Sequence, residues 1–357
     1  MQKIPIISAD SHVNEPENLW LERLPANYRD RAPRVVEEDG VVVRYIEGMR
    51  PRRNKKSSTS KWEGDDLERM QSGGYDLSKR MKDQDRDGVV GEVIYPSIGL
   101  FIFLSPDQDF QMAQAKVYND WLIEIFKAQP KRFAPVALIP IGNIPAAMAE
   151  VQRTVKMGHR GVSVPCQTGD QPAYNNPVYD PLWAAIQDAG VPVNFHAGTG
   201  HEPRDERGPG GAVINYLLQA QGDGPRIVSY LCASGVLERF PKLQFITVET
   251  GSAWLAWILT HMDHIYQKHH MWVSPKLQMM PSEYCRRQGH VTFQDDPVGV
   301  VARQFTGVQT LLWGNDYPHH EGTWPHSQEA IASMFKDVPL EETKQIVNGN
   351  AAKLFKF

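Results

Sequence analysis

The chain has 357 residues, of which 41% are hydrophobic and 22% charged, and its net charge at pH 7 is -4. This composition is typical of a globular protein and excludes disordered, collagen-like and coiled-coil chains. The negative net charge argues against a nucleic-acid-binding protein, which needs a concentrated positive field. A small-molecule partner is therefore expected.

The cellular location is also constrained by the sequence. The N-terminal residues lack a basic start followed by an apolar region, and no later apolar run reaches the about 18 residues that span a bilayer. Three widely spaced cysteines, Cys166, Cys232 and Cys285, form neither a disulfide framework nor a zinc-finger pattern. These features predict a cytoplasmic protein in a reducing compartment, without membrane contact.

Short apolar runs rich in β-forming residues alternate with helical patterns, which is typical of a parallel sheet built from βα units. Apolar residues at helical spacing predict helices at residues 111–127, 144–156, 181–189, 228–240 and 253–267. Eight strands are predicted, at residues 4–8, 91–95, 134–139, 161–164, 191–195, 243–248, 290–293 and 309–313.

Eight strands with intervening helices favour an α/β fold, a closed (β/α)8 TIM barrel in which residues 1–357 form one domain. An open doubly wound sheet fits the same alternation. However, no Gly-x-Gly-x-x-Gly turn follows the first strand, and this absence argues against a nucleotide-binding fold.

Two stretches depart from the alternation and are interpreted as insertions. The first, at about residues 20–75, contains a predicted hairpin strand at 41–46 whose partner is unassigned, a basic run at 50–56 that we expect to be solvated, and a helix near Leu67. The second, at about residues 198–225, follows the fifth strand and begins with a glycine-rich stretch. Loops at that end of a barrel surround the active site.

Polar residues stand where the predicted strands end. Strand one leads into Asp10 and His12, strand five into His196, strand six into Glu249 and strand eight into Asp316. The carboxyl ends of all strands in a parallel barrel face one rim, and converging imidazoles and carboxylates suit Zn or Mn. Each residue also has a structural explanation, as a core histidine, a turn residue or a turn cap.

The chain resembles the amidohydrolase-2 family, which includes aminocarboxymuconate-semialdehyde decarboxylase, resorcylate-type decarboxylases and related hydrolases. The resemblance covers most of the chain. It rests on residues 6–12 with 15–16, 80–81, 87–88, 94–96, 119–121, 161–162, 180–183, 191–196, 240–243, 249–251 and 313–319.

The resemblance implies a (β/α)8 barrel with one catalytic divalent metal, Zn or Mn, and a homodimeric assembly. The family's metal ligands fall on Asp10, His12, His196 and Asp316, and the family's last-strand aspartate also handles a proton. Many relatives end the sixth strand in a histidine, where this chain has Glu249. That residue is expected to carry a proton, to join the metal shell, or to form a structural ion pair with an arginine.

The first hypothesis for function is metal-assisted hydrolysis, with Asp316 as the base and Glu249 assisting. The alternative is non-oxidative decarboxylation of an aromatic or unsaturated acid, and a second alternative is a non-catalytic metal-binding barrel. Three carboxylates near one cation leave less positive charge for an acidic substrate, which favours hydrolysis. His319 is a candidate substrate contact, and the candidate substrate-binding residues Arg204 and Arg207 could restore that charge, which would favour decarboxylation.

Overall fold

The fold is given by a computed structural model that describes residues 4–55 and 72–357. Eight parallel strands form one sheet, in the order in which they occur along the chain. They are β1 (Ile6–Val13), β5 (Val89–Pro96), β6 (Phe133–Leu138), β7 (Gly161–Val164), β8 (Val193–His196), β9 (Phe245–Val248), β10 (Gly289–Phe293) and β11 (Leu311–Trp313).

The sheet closes on itself between its first and last strands. The backbone N–H of Asp316 donates to the carbonyl of Asp10 at 2.8 Å, and that of His12 donates to the carbonyl of Tyr317 at 2.6 Å. Gly314 allows this approach, because a Cβ at that position would lie 2.6 Å from the Cβ of Asp10. The predicted (β/α)8 barrel is therefore confirmed.

All eight predicted strands are present, with bounds shifted by a few residues. The largest difference is in β1, which continues to Val13 and so contains Asp10 and His12 within the strand rather than after it. The apolar run of β1 ends before the strand does, because the polar residues that follow the run are also buried inside the barrel.

The helices lie between the strands. The predicted helix 228–240 is two helices, because Gly235 adopts a left-handed backbone conformation, φ 78°, between them. The longer helices of the described chain are Leu77–Asp87, Gln108–Phe126, Ile144–Met157, Asp180–Ala189, Asp223–Ala233 followed by Val236–Arg239, Ala253–Lys268, Pro281–Gln288, Ser327–Met334 and Asn350–Phe355.

The first insertion forms a small antiparallel sheet of three strands, β2 (Arg34–Glu38), β3 (Val41–Tyr45) and β4 (Arg52–Lys55). The predicted hairpin strand 41–46 thus pairs on both sides. The helix predicted near Leu67 lies outside the described residues. In the second insertion a short helix, Gly211–Ile214, continues as a π-helix, Asn215–Gln221.

The core fills the barrel and the layer between its strands and helices, and all three cysteines are buried and reduced. In the two described ranges no helix combines the length and the apolar character that crossing a bilayer requires.

Candidate metal centre

Five side chains from five separate chain positions converge at the carboxyl rim of the barrel. Asp10 and His12 stand two residues apart on β1, so their side chains point the same way, into the barrel. His196 is the last residue of β8, Glu249 follows β9 directly, and Asp316 lies just beyond β11. All except Glu249 are buried to 1% exposure or less, and the side chain of Glu249 is 13% exposed.

The two histidines present unprotonated nitrogens to each other. His12 Nδ1 lies 2.7 Å from the carbonyl of Pro96, and His196 Nδ1 lies 3.2 Å from the carbonyl of Ala197. A carbonyl only accepts, so both Nδ1 atoms carry the hydrogen and both Nε2 atoms carry a lone pair. These Nε2 atoms are 3.2 Å apart. Neither neutral ring can donate to the other through Nε2, and a cation between them would satisfy both.

Three carboxylates surround the imidazole pair. His12 Nε2 lies 3.4 Å from Asp316 Oδ1, 3.6 Å from Asp10 Oδ1 and 3.8 Å from Glu249 Oε2. His196 Nε2 lies 3.4 Å from Glu249 Oε2. Asp10 Oδ1 is buried and accepts no hydrogen bond from the described part of the chain. A buried carboxylate oxygen without a donor is costly, and a bound cation removes that cost.

Two of these carboxylates are held by an unusual backbone. Glu249 and Asp316 have φ values of 59° and 54°, in the left-handed region that non-glycine residues rarely adopt. Such conformations cost about 1–3 kcal/mol each and cluster at functional sites. Here they turn both side chains back toward the barrel axis as the chain leaves the strands.

The supporting residues lock the position of β1 and the orientation of its carboxylate. The Arg80 guanidinium donates two bonds to the Glu92 carboxylate, at 2.9 and 2.7 Å, and a third to the carbonyl of His12 at 2.7 Å. The Thr292 hydroxyl donates to Asp10 Oδ2 at 3.2 Å and accepts from the Glu249 backbone N–H at 2.8 Å. Such contacts fix the geometry of the groups that bind a metal.

Burial sets the protonation of the cluster. It lowers the pKa of His12 well below its ordinary value and that of His196 to about 3, so both imidazoles are neutral near pH 7, as metal ligands must be. Burial also raises the pKa of Asp10 and, more strongly, that of Glu249, on which the charges of Asp316 and Asp10 act in the same direction.

His319 and Tyr216 form the outer edge of the cluster. His319 stacks on His12 with ring centroids 4.0 Å apart, and its Nδ1 lies 3.0 Å from Asp316 Oδ1. The Tyr216 hydroxyl, from the π-helix, lies 3.1 Å from Glu249 Oε1. The two side chains are 27% and 42% exposed, so this side of the cluster is open to solvent.

The structure thus brings together Asp10, His12, His196, Glu249 and Asp316, with His319 beside them. These residues form two overlapping groups whose ligand atoms are close enough to hold a metal ion, one with Asp10, His12 and His196 and one with His12, Glu249, Asp316 and His319. The paired imidazole lone pairs and the unsatisfied Asp10 oxygen fit a single divalent cation. The ion pair of Glu249 with an arginine is not found within the described residues.

The predicted substrate-binding arginines Arg204 and Arg207 are exposed on the loop that follows β8, outside this cluster. Sequence reasoning missed two other arginines. Arg44 on β3 lines a cavity of about 760 Å3 that shares His319 with the metal centre. Arg52, in the run expected to be solvated, stacks on the ring of Phe101 at 4.2 Å, and its Nε is buried. The positions of both arginines are set by the packing of the small three-stranded sheet against the barrel, which the local sequence does not reveal.

Comparisons with known proteins agree with this geometry. A family model for amidohydrolases matches residues 80–357. Gamma-resorcylate decarboxylase from Rhizobium radiobacter is 27% identical over 274 residues, which cover 70% of this chain and 78% of that protein.

Solved structures share the fold over nearly the full length. The structure of amidohydrolase map2389c from Mycobacterium avium subsp. paratuberculosis K-10 has a TM-score of 0.81 and 19% identity, covering 99% of this chain and 100% of that one. A dihydroxybenzoic acid decarboxylase from Polaromonas sp. JS666, with bound manganese and the inhibitor 2-nitroresorcinol, has a TM-score of 0.68 and 19% identity, covering 99% and 97%. With its buried histidines and carboxylates at the rim of an eight-stranded barrel, this chain belongs to the amidohydrolase family.

Proposed function

We propose that the chain is a metal-dependent, non-oxidative decarboxylase of an aromatic or unsaturated carboxylic acid. Asp10, His12, His196 and Asp316 are the proposed ligands of one divalent metal, Zn or Mn. The proposal is supported by the relationship to gamma-resorcylate decarboxylase and by the manganese held in the Polaromonas structure. The sequence analysis gave hydrolysis as its first hypothesis and decarboxylation as the alternative, and this proposal adopts the alternative.

The observation that carries the choice is a pair of half-buried arginines, neither of which has a carboxylate oxygen within 4.0 Å among the described residues. Arg44 and Arg52 are direct partners across the β3–β4 pair, so their side chains share one face. Both Nε atoms are buried and make no hydrogen bond within the described residues. Like charges placed opposite each other on a sheet are destabilising, and an anion between them reverses the sign of the interaction.

Arg204 adds to this positive region. Burial lowers the pKa of Arg44 and lowers that of Arg52 to about 10, and the charge of Arg204 acts in the same direction on both. Glu15 and Glu17 act in the opposite direction on Arg44, and Glu202 does so on Arg52. The region therefore lies within electrostatic reach of the rim loop that was expected to carry the substrate-binding arginines. Even with Glu15, Glu17 and Glu202 nearby, these arginines offset part of the negative charge of the three carboxylates of the metal centre, which was the reason to favour hydrolysis. The positive charge of the arginines therefore favours the binding of an acidic substrate near the metal centre.

The proposed reaction replaces a carboxylate by a hydrogen atom. A bound divalent metal supplies a Lewis acid that draws negative charge from the substrate. Asp316, protonated, delivers its proton to the ring carbon that bears the carboxylate; the carbon–carbon bond then breaks, its electron pair returns to the ring, and carbon dioxide leaves. His319, 3.0 Å from Asp316, is placed to return a proton to it. Arg44 holds a second anionic or phenolic oxygen of the substrate.

The direct test is a screen of the metal-loaded protein against hydroxylated benzoic acids and unsaturated acids, with carbon dioxide release and the decarboxylated product both measured. Esters, lactones and amides are assayed in parallel. We expect carbon dioxide in the first panel. With the acid that is decarboxylated, Arg44→Met keeps an unbranched aliphatic side chain but loses the charged guanidinium, and should raise KM at least about tenfold with a smaller effect on kcat.

Arg53→Met is the matched control, because Arg53 is exposed on the same small sheet and pairs with Glu38. Its kinetics should equal those of the wild type. Hydrolysis without carbon dioxide would replace the proposal by the hydrolase alternative. Metal retention with no turnover in either panel would favour the non-catalytic barrel.

A further inference from the structure

A large cavity lies at the opposite end of the barrel from the metal centre. It has a volume of about 1280 Å3, and it is bordered by residues that precede strands or begin them, including Pro5, Pro192, Gln244, His290 and Gln309. The proposed catalytic residues stand at the other ends of the same strands. The whole barrel therefore separates this cavity from the metal centre.

Positive charge dominates the wall of this cavity. Five basic side chains line it, against one acidic side chain, Glu341, which is paired with Lys344 at 2.8 Å. The other four are Lys242, Arg286, Arg287 and Lys353.

None of these four has a carboxylate oxygen within 4.0 Å in the described part of the chain. Arg286 donates to the Phe305 carbonyl and the Ser282 hydroxyl, and Arg287 to the Leu237 carbonyl, all neutral acceptors, although the charge of Arg287 also acts on Glu238 from a longer distance. A chain with a net charge of -4 thus gathers four unpaired cations around one concavity.

The floor of the cavity is polar and neutral. His290 lies between the Gln309 carbonyl, 3.1 Å from its Nδ1, and the Gln244 side chain, 3.2 Å from its Nε2. Burial lowers the pKa of His290 to about 4, and the charge of Lys353 acts in the same direction. Lys353 is therefore electrostatically coupled to the floor. Val191, Leu340 and Leu354 add apolar surface, so the cavity offers contacts to an uncharged body as well.

Three of these four basic side chains could serve to stabilise helices rather than to bind a ligand. Arg286, Arg287 and Lys353 stand in the last turns of their helices, where a cation interacts favourably with the helix dipole. Lys242 has no such position, since it follows the helix Val236–Arg239 beyond its end. The dipole effect also does not account for the convergence of the charges on one concave surface, where they repel each other.

We propose that this cavity binds an organic polyanion, a molecule in which a phosphate chain or several carboxylates are joined to an uncharged body. Lys242, Lys353 and the two arginines pair with the clustered anionic oxygens, and the apolar wall receives the body of the ligand. The site is independent of the proposed decarboxylation, because it shares no residue with the metal centre.

The test compares the wild-type protein with Lys242→Ser/Lys353→Ser by calorimetry and thermal unfolding, with ATP, pyrophosphate, citrate and adenosine as probes. We expect at least one of the three anions to bind the wild type and raise its Tm, and adenosine alone not to do so. Pyrophosphate against citrate separates phosphate from carboxylate chemistry. In the double variant the dissociation constant should rise at least about tenfold and the Tm shift should vanish.

The matched control is Lys116→Ser/Lys268→Ser, which removes the same charge from exposed positions outside the cavity. It should bind as the wild type does. Anions captured by a metal at the catalytic rim would bind the cavity variant unchanged, and that result would overturn the proposal. So would a failure of all three anions to bind. A variant whose Tm without ligand is lowered, with ligand shifts intact, would show that the two lysines stabilise the fold and do not bind the ligand, and would also overturn the proposal.

Discussion

The histidines of the metal centre are held by single carbonyl contacts that fix which nitrogen faces the site. We therefore expect His12→Ala and His196→Ala each to remove most of the bound metal, since the loss of one of few ligands leaves the ion under-coordinated. The measurement is metal content per chain after dialysis. His264→Ala is the control, because His264 is exposed on the helix Ala253–Lys268 and should leave metal content unchanged. Full metal content in both ligand variants would refute the assignment.

We expect substitutions of Asp316 and Glu249 to have different effects on activity and metal content. Asp316→Asn keeps the size of the side chain but loses the proton-transferring carboxylate, so activity should fall by about 10²–10⁴-fold with weakened metal affinity. Glu249→Gln should keep the metal. If Glu249 carries a proton, this variant loses rate and one limb of the pH–rate profile.

Glu249→His introduces the residue type that the resemblance implies at this position, and so tests whether glutamate tunes the chemistry. A wild-type rate and pH profile in Glu249→Gln would exclude Glu249 from catalysis. Unchanged rate and metal content in Asp316→Asn would contradict the mechanism.

The convergence of single residues was predictable where the signal is local, and their roles as ligands or catalytic groups stay predictions. Asp10, His12, His196, Glu249 and Asp316 each follow or end a recognisable strand, and parallel strands bring their carboxyl ends together. Arg44, Thr292 and Tyr216 carried no such signal. A strand arginine, a strand threonine and a helix tyrosine are ordinary in their own segments, and only long-range folding brings them to the site.

Among the contacts between helices and strands, a buried pair of side chains, His159 and Asn119, links two helices and a strand. His159 Nε2 donates to the carbonyl of Asn119, and the Asn119 side chain bonds both the Leu138 carbonyl and the Glu150 carboxylate. Burial lowers the pKa of His159 to about 4. The folded state thus binds the proton less readily than the unfolded chain, whose histidine titrates near 6.5.

The contribution of His159 to stability is therefore complete above about pH 6.5 and is lost as the pH falls from 6.5 toward 4. The loss amounts to up to about 3 kcal/mol at about 1.4 kcal/mol per pKa unit. His159→Gln removes the titration, so its free energy of unfolding should fall less between pH 7.5 and pH 5 in urea titrations. His264→Gln, at an exposed position, should show the wild-type pH dependence. Equal pH dependence in His159→Gln and the wild type would contradict this assignment.

Strand prediction succeeded because buried parallel strands are short apolar runs, and it failed at β1 for a physical reason. Asp10, Ser11 and His12 read as the end of a strand, yet they continue it, because the interior of this barrel is polar near its rim. The three-stranded sheet was only half predicted, since the partners of residues 41–46 depend on pairing rather than on local pattern.

For the whole molecule, the homodimer expected from the family resemblance stays a prediction. The helix Ala253–Lys268 and its neighbours expose large apolar side chains, including Trp257 (57%), Val301 (76%) and Phe305 (70%). The helices that carry these side chains contact one another, and clustered exposed apolar side chains mark interaction sites. We expect Trp257→Glu/Val301→Glu to give a monomer by light scattering at micromolar concentration, whereas Val178→Glu, at an exposed apolar position on another helix, stays dimeric. A monomeric wild type would contradict the prediction.

The closure of the barrel has a consequence for the order of assembly. Ser11 and Asn315, which are hydrogen-bonded at the seam, are separated by 304 positions in sequence, and the candidate ligands stand beside them on both sides. A chain still being synthesised thus carries Asp10 and His12 long before it gains Asp316. The metal centre is completed in the same step that joins the first strand to the last. Coordination that includes Asp316 would accordingly report that the barrel has closed, whereas Asp10, His12 and His196 alone could hold an ion before closure.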